Sequence, residues 1–133
     1  MVFMASDKKK SILIIDDEKD VVDSVSGFLK RNGYDVFGAS TGQEGLKIAR
    51  EELPSLIILD LMLPDIDGSD VAAQLLNNLT TKEIPIIFLT AIVTKSEQEA
   101  TGEFIANRCI IAKPCSSEEI LSLVKNYIGL PTP

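Results

Sequence analysis

Four short apolar runs constrain the fold of this chain more than any other feature of its sequence. Each run is about four residues long, rich in leucine or β-branched residues, and free of polar alternation. Strands that are apolar on both faces belong in a parallel sheet that helices cover on both sides. A fifth and weaker run, Tyr34–Ala39, predicts one more strand. The four strong runs are Ile12–Ile15, Leu56–Leu59, Ile86–Leu89 and Cys109–Ala112.

Between these runs, apolar residues recur at helical spacing, which predicts amphipathic helices. Capping boxes begin two helices, at Thr41 and at Ser116, and Gly33 is placed to end the first helix in a left-handed conformation. The polar and poorly periodic stretch Lys95–Phe104 predicts only a short helix. The helical patterns run over Val21–Leu29, Val71–Leu79 and Ile120–Ile128.

The alternation of strand and helix patterns predicts a doubly wound, flavodoxin-like α/β fold. Its five parallel strands are expected in the order 2-1-3-4-5, since right-handed crossovers bring the first and third strands side by side. A chain of 133 residues fits one domain, which we assign to residues 11–129. Residues 1–10 are interpreted as an N-terminal tail or cloning remnant, and residues 130–133 as a C-terminal tail or the start of a linker.

The charge composition narrows the possible partners and metals. The formal net charge is -7, from 13 lysines and arginines against 20 aspartates and glutamates. This acidity disfavours direct binding to nucleic acid or to an anionic membrane. Because the chain has no histidine, catalytic triads and histidine-ligated metals are excluded. A metal site must then use oxygen ligands, which suit Mg²⁺ or Mn²⁺.

The sequence also favours a cytoplasmic location. No apolar run approaches the roughly 20 residues that cross a bilayer. The start of the chain lacks the sustained apolar stretch of a signal peptide. Cys109 and Cys115 do not form a zinc pattern, and we expect them to be reduced thiols.

The strand ends carry the residues that point to chemistry. Asp16 and Asp17 follow the first predicted strand, Asp60 follows the third, Thr90 the fourth and Lys113 the fifth. In a doubly wound sheet, ligands bind at the carboxyl ends of the strands, so these side chains should converge. Carboxylates this close repel one another, and a hard divalent cation relieves the repulsion.

A cation and a lysine beside an aspartate are suited to phosphoryl transfer. The two positive groups stabilise the charge on the transferred phosphoryl oxygens, and an aspartate can be the nucleophile that forms an aspartyl phosphate. Taken alone, Asp16 and Asp17 could simply complement a helix dipole, and Asp60 could be a turn residue. Thr90 alone favours a structural role and Lys113 a solvated charge, but their joint occurrence at one sheet edge argues against these ordinary interpretations.

The motifs at these strand ends resemble those of response-regulator receiver domains, over a span from about Ser11 to Ile128. As a set, in this order and spacing, they are highly specific. The resemblance implies a signalling domain of a two-component system or phosphorelay. The resemblance also implies that the chain is not an enzyme in the usual sense, because the chemistry of such a domain is limited to its own phosphorylation and dephosphorylation. The matching segments are Ile14–Glu18, Leu59–Gly68, Leu89–Ala91 and Ala112–Pro114.

By this resemblance, Asp60 is the phosphoacceptor, and the donor is a histidine kinase or a histidine phosphotransfer protein. Asp17, Asp60 and the carbonyl of Met62 would ligate Mg²⁺ or Mn²⁺ directly, and Asp16 would do so through water. Phosphorylation would then switch binding to a downstream protein target, without direct contact to nucleic acid or membrane.

The resemblance further implies that Lys113, Thr90 and Ala91 contact the phosphoryl group, and that the peptide bond between Lys113 and Pro114 is cis. On activation, Thr90 would move toward the phosphoryl group. In the family an aromatic residue, three positions before the lysine, then fills the vacated space.

This chain departs from the family pattern around the switch. Ile110 stands at the aromatic position, so Thr90 and Ile110 form the candidate switch pair. A stiff β-branched side chain predicts only a small shift on activation, unless the switch lies elsewhere, for instance in Lys95–Phe104. Cys115 stands where phenylalanine is frequent, and residues 105–108 replace the usual Ala-Gly-Ala. These departures concern how phosphorylation would change the conformation that a partner recognises, and they leave the predicted acceptor and metal ligands intact.

Three other functions remain as alternatives. A degenerate receiver would act as an interaction module without phosphorylation, but the intact acceptor, metal ligands and lysine argue against it. A flavodoxin-like cofactor binder needs a Ser/Thr/Gly-rich phosphate loop, where this chain has acidic residues. A phosphatase of the haloacid dehalogenase type needs Asp-x-Asp after the first strand, whereas Asp16 and Asp17 are adjacent.

Overall fold

Five parallel strands form one sheet in the order β2-β1-β3-β4-β5, as the sequence predicted. The structure is a computed structural model that describes residues 10–91 and 109–131. The first and third strands are neighbours, which creates the change of winding direction that doubly wound sheets use for ligands. The strands are β1 (Ser11–Ile15), β2 (Asp35–Ala39), β3 (Leu56–Leu59), β4 (Ile86–Thr90) and β5 (Cys109–Ala112).

Four helices lie in the described parts of the chain. The predicted N-caps at Thr41 and Ser116 are confirmed, whereas the carboxylate of Glu44 accepts the N–H of Ser40 and not that of Thr41, as a full capping box would require. The hydroxyls of Thr41 and Ser116 each accept the N–H of the glutamate three residues later, at 3.1 Å. Gly33 has the predicted left-handed conformation, with φ of 97°. The short helix predicted over Lys95–Phe104 lies outside the described residues. The helices are α1 (Lys19–Arg31), α2 (Gly42–Glu52), α3 (Gly68–Leu76) and α4 (Ser117–Ile128).

The core has two layers, one on each face of the sheet. In β1, Leu13 and Ile15 pack in the layer with α2 and α3, while Ile12 and Ile14 pack in the layer with α1 and α4. All five residues of β1 are buried, which explains why its sequence shows no polar alternation. Within the described residues, no helix combines the length and apolar character needed to cross a bilayer.

The prediction that the third helical pattern reaches Leu79 is wrong. Helix α3 ends at Leu76, and Leu79 is 83% exposed. The side-chain oxygen of Asn78 accepts the N–H of Thr80 at 2.9 Å, which favours a turn over further helix. The hydroxyl of Thr81 donates to the carbonyl of Leu75 at 2.7 Å, so a carbonyl at the helix end is satisfied without another helical turn.

Asp65 ties the loop after β3 to the start of α2. Its two carboxylate oxygens accept the N–H groups of Gly42 and Gln43, at 2.8 and 2.9 Å. The hydrogen bonds from Gln43 and Gly42 hold the pKa of the Asp65 carboxyl below its usual range. The loop that leaves the end of β3 is therefore fixed by the free N–H groups of a neighbouring helix.

This contact predicts a pH-dependent effect of Asp65→Asn. A carboxyl whose folded-state pKa is lowered stabilises the fold above its unfolded-state pKa of about 3.9, and this contribution is lost as the pH falls through the folded-state pKa. The variant should therefore be less stable than the wild type near neutral pH, and the difference should shrink at about pH 3. Urea denaturation at both pH values measures it, and a difference that stays constant would contradict the assignment.

Candidate functional site

The carboxyl ends of β1, β3, β4 and β5 bring the predicted residues to one edge of the sheet. The backbone holds them there, because the N–H of Asp60 donates to the carbonyl of Ile15 and the N–H of Lys113 donates to the carbonyl of Thr90, both at 3.0 Å. The sheet hydrogen bonding thus extends into the site itself. The predicted cis peptide bond between Lys113 and Pro114 is present.

The ammonium group of Lys113 lies among three carboxylates. Its Nζ atom is 2.7 Å from Asp16 Oδ2, 3.0 Å from Asp60 Oδ2 and 3.3 Å from Glu18 Oε2. The side chains of Asp16 and Asp60 are nearly buried, at 2% and 7% exposure, whereas that of Glu18 is 58% exposed. The two shorter contacts of Lys113, to Asp16 and Asp60, are therefore buried, whereas its contact to Glu18 is accessible to solvent.

Burial and charge act in opposite directions on this cluster. Burial raises the pKa of the Asp16 carboxyl, and the charge of Asp60 adds to the increase, although the hydrogen bond from Lys113 opposes it. Burial alone would lower the pKa of the Lys113 ammonium, but its hydrogen bonds to Asp16 and Asp60 outweigh that effect and raise it. The lysine is thus kept positively charged beside the acidic pair.

Asp16, Asp17 and Asp60 form a set of oxygen donors that suits a hard divalent cation. One carboxylate oxygen from each residue lies within 4.8 Å of the others. Asp17 is exposed and gives solvent access, while the other two are buried. The set contains neither a nitrogen nor a sulfur donor, and this chemistry fits Mg²⁺ or Mn²⁺ with retained water ligands.

Met62, which the sequence proposed as a backbone ligand, is placed beside this set. Its N–H donates to Asp60 Oδ1 at 3.0 Å, so both oxygens of the Asp60 carboxylate have a fixed hydrogen-bond partner. The side chain of Met62 is 59% exposed. The nucleophile proposed from the sequence is therefore oriented by a backbone N–H on one oxygen and by Lys113 on the other.

The predicted switch residues lie on the same face of the sheet. Thr90 ends β4 and is fully buried, and Ala91 follows it at the exposed rim. Ile110 pairs with Phe88 in the register between β4 and β5, and it packs partly buried against the core layer that contains Phe88. Since alternate residues of a strand face the same side, Thr90 and Ile110 share this layer.

Two residues of the site were not assigned a role from the sequence. Glu18 contacts Lys113, although the resemblance only quoted it as part of a motif. Gly68 begins α3 directly against the backbone of Asp60, where a Cβ atom would lie 2.2 Å from the carbonyl oxygen and 2.7 Å from Leu61 Cα. The contact of Glu18 joins two distant parts of the sequence, and that of Gly68 brings two stretches of backbone together. Neither contact leaves a periodic pattern in the local sequence.

A model of the response regulator receiver domain matches residues 12–125 of the chain. The Bacillus subtilis protein PhoP, a transcriptional regulatory protein of alkaline phosphatase synthesis, is 41% identical over 118 residues, which cover 87% of this chain and 47% of PhoP. The polar-differentiation response regulator DivK of Brucella ovis is 29% identical over 120 residues, which cover 90% of this chain and 97% of DivK.

A solved structure of a response-regulator receiver domain has a similar fold. The non-phosphorylated receiver domain of HemR from Leptospira biflexa has a TM-score of 0.78 and 30% identity, over 93% of this chain and 98% of that domain. The chain spans about half the length of the first curated relatives that it matches, and nearly the full length of DivK.

The close approach at Gly68 predicts that Gly68→Ala will be destabilising. The added methyl group would meet the Asp60 carbonyl and Leu61 Cα, which are backbone atoms and cannot rotate away. Overpacking of this kind costs about 1–3 kcal/mol. Urea denaturation measures the free energy of unfolding. Gly27→Ala is the matched control, because its Cβ would meet only the end of the Arg31 side chain at 3.3 Å and helix propensity favours alanine. Equal stabilities of the two variants would contradict this role of Gly68.

Proposed function

The chain belongs to the response regulator receiver domain family, and from this premise we propose that it accepts a phosphoryl group on Asp60 in a Mg²⁺-dependent reaction. The observation that carries the proposal is the contact set of Asp60, whose oxygens meet the Lys113 ammonium and the Met62 N–H within a cluster of three aspartates. A buried carboxylate that lies in a cluster of oxygen donors and contacts a lysine supports a nucleophilic role for Asp60 toward phosphorus.

The proposed donor is a phosphohistidine of a histidine kinase or a phosphotransfer protein. An oxygen of Asp60 forms a bond to phosphorus while the P–N bond breaks, and the imidazole nitrogen leaves with the electron pair and takes up a proton from solvent. Lys113 stabilises the negative charge on the phosphoryl oxygens throughout the transfer. The buried hydroxyl of Thr90 and the adjoining backbone of Ala91 are proposed to contact the phosphoryl group once it is in place.

We propose that Asp17, Asp60 and the carbonyl of Met62 hold the cation directly, with Asp16 bound through water. The bound cation would add positive charge against the phosphoryl oxygens. Asp16 lies closer to Lys113 than Asp60 does, at 2.7 against 3.0 Å, and its side chain is more buried, which supports an indirect role for it. The exposed position of Asp17 supports a direct one, because it leaves room for the water ligands that Mg²⁺ retains.

The output is proposed to be a change in protein–protein contacts in the cytoplasm, without direct binding to nucleic acid or to a membrane. The net charge of -7 supports protein partners over nucleic acid, and the free thiols of Cys109 and Cys115 agree with a reducing compartment. The stiff, partly buried Ile110 supports only a small rearrangement next to Thr90. The convergence of Asp17, Asp60 and Lys113 argues against a degenerate receiver that no longer takes phosphate.

The first test is labelling by a small phosphoryl donor. The wild type incubated with acetyl phosphate and Mg²⁺ should gain the mass of one phosphoryl group, and chelation of the metal should prevent this. Asp60→Asn should remove the label, because an amide is not a nucleophile for phosphorus. Asp35→Asn is the matched control, since this exposed aspartate at the start of β2 lies outside the site and should leave labelling intact. Labelling of Asp60→Asn on another residue would contradict the proposal.

The second test is stabilisation by the metal alone. A ligand that binds only the folded state stabilises it by about 1.4 kcal/mol at ten times its Kd. Mg²⁺ should therefore raise the Tm of the wild type, and Asp17→Asn should reduce this increase because it replaces a charged ligand. In Asp35→Asn the increase should equal that of the wild type. If Asp17→Asn keeps the full increase, Asp17 is not a ligand.

A further inference from the structure

Every N–H of the Lys113 ammonium already has a carboxylate acceptor among the described residues. An ammonium group has three donors. They face Asp16, Asp60 and Glu18 at 2.7, 3.0 and 3.3 Å. A phosphoryl group on Asp60 brings further oxygen atoms that need the same donors. Lys113 can donate to these oxygens fully only if one of its present hydrogen bonds to a carboxylate is broken.

Glu18 is the partner that is easiest to displace. Its contact is the longest of the three, and its side chain is 58% exposed, so water can replace the lysine at little cost. Asp16 is 2% exposed and would be left as an unpaired buried charge. Asp60 carries the phosphoryl group itself, so the hydrogen that faces it can pass to one phosphoryl oxygen, and a second contact needs the hydrogen that faces Glu18.

The backbone of Glu18 is held so that its side chain serves this contact. Glu18 is the N-cap residue of α1, yet its carboxylate makes no capping hydrogen bond. Its N–H donates to Asp16 Oδ1 at 2.9 Å, and its carbonyl accepts the N–H groups of Val21 and Val22 at 3.1 Å. An acidic side chain at a helix N-terminus would ordinarily interact with the free N–H groups there. Here it crosses to the end of β5 instead.

We propose that Glu18 is a positioning residue that accepts the third hydrogen bond of Lys113 in the unphosphorylated state. This hydrogen bond breaks when a phosphoryl group is bound, and Lys113 then donates to a phosphoryl oxygen instead. This inference rests on the function proposed for Asp60. Glu18 competes with the phosphoryl oxygens for Lys113, so it weakens binding of the phosphoryl group and favours the unphosphorylated state. An open groove of about 600 Å³, lined by Glu18, Asp20 and Lys113 among others, gives the released carboxylate space to rotate.

Three variants separate the contact from the charge. Glu18→Gln replaces the ion pair by a neutral hydrogen bond, and Glu18→Asp keeps the charge but shortens the reach by one methylene group. Asp20→Asn is the matched control, because it removes an acidic charge from the lining of the same groove without touching Lys113 in the structure. The probe is beryllofluoride at saturating Mg²⁺, with the Kd measured by calorimetry and the second-order rate of labelling by acetyl phosphate as a second readout.

Glu18→Gln and Glu18→Asp should each bind beryllofluoride about two- to fivefold more tightly than the wild type, the range expected for loss of an exposed ion pair. The gain should shrink toward one at about 1 M salt, where screening weakens the pair in the wild type as well. The Kd of Asp20→Asn should stay close to that of the wild type. The Tm values of the three variants show whether all are folded.

Weaker or unchanged binding in Glu18→Gln would overturn the proposal, and so would an equal gain in Asp20→Asn, since that gain would come from charge alone. A gain in Glu18→Gln with none in Glu18→Asp would overturn it for the same reason. The function proposed for Asp60 fails separately, if the wild type neither binds beryllofluoride nor takes label from acetyl phosphate.

Discussion

The ion pairs of Lys113 with Asp16 and Asp60 are the interaction on which the functional edge depends. Two buried carboxylates repel each other and lose hydration, so they need a positive charge between them. Lys113 supplies that charge at 2.7 and 3.0 Å, and the carboxylates in turn keep the lysine protonated despite its burial. Removing Lys113 would cost about 3–5 kcal/mol, the range for breaking a buried ion pair, because Asp16 and Asp60 would lose their compensating charge. The same lysine that compensates these carboxylates is the one that we propose to contact a phosphoryl group on Asp60.

The parallel sheet makes this cluster possible because all its strands end at the same edge. β1 and β3 are neighbours, so Asp16 and Asp60 emerge side by side, while Lys113 arrives from β5 beyond β4. The hydrogen bonds of Asp60 to the carbonyl of Ile15 and of Lys113 to that of Thr90 extend the sheet into the site. Such continuity places the charged side chains at the ends of rigid elements, which would cost less reorganisation during the proposed phosphoryl transfer than placing them on free loops.

The sequence predicted the strands and the charged residues at their carboxyl ends, because both leave local patterns in the sequence. The buried runs of β1, β3 and β4 lack polar alternation, and Asp16 and Asp60 directly follow β1 and β3. Lys113 directly follows the less buried apolar run of β5. The end of α3 was predicted too late, because the hydrogen bonds of the turn at Asn78 and Thr81 outweigh an apolar pattern that continues to Leu79. Glu18 and Gly68 were missed for another reason, since their roles come from tertiary contacts with Lys113 and with the backbone of Asp60.

The way α4 is joined to Lys113 limits how a change at the site can spread. The N–H of Lys113 is held by the carbonyl of Thr90, and three residues later the Ser116 hydroxyl caps α4 through the N–H of Glu119. Both ends of this short connection are therefore fixed, so a shift of the ammonium group toward a phosphoryl oxygen is taken up first by the flexible lysine side chain. The backbone of β5 would then move little, as the notion of a small shift at the stiff Ile110 side chain in the same strand requires. A partner can shift the equilibrium between two states only through unequal binding to them, so the proposed change of charge at this edge is one difference that a partner could recognise.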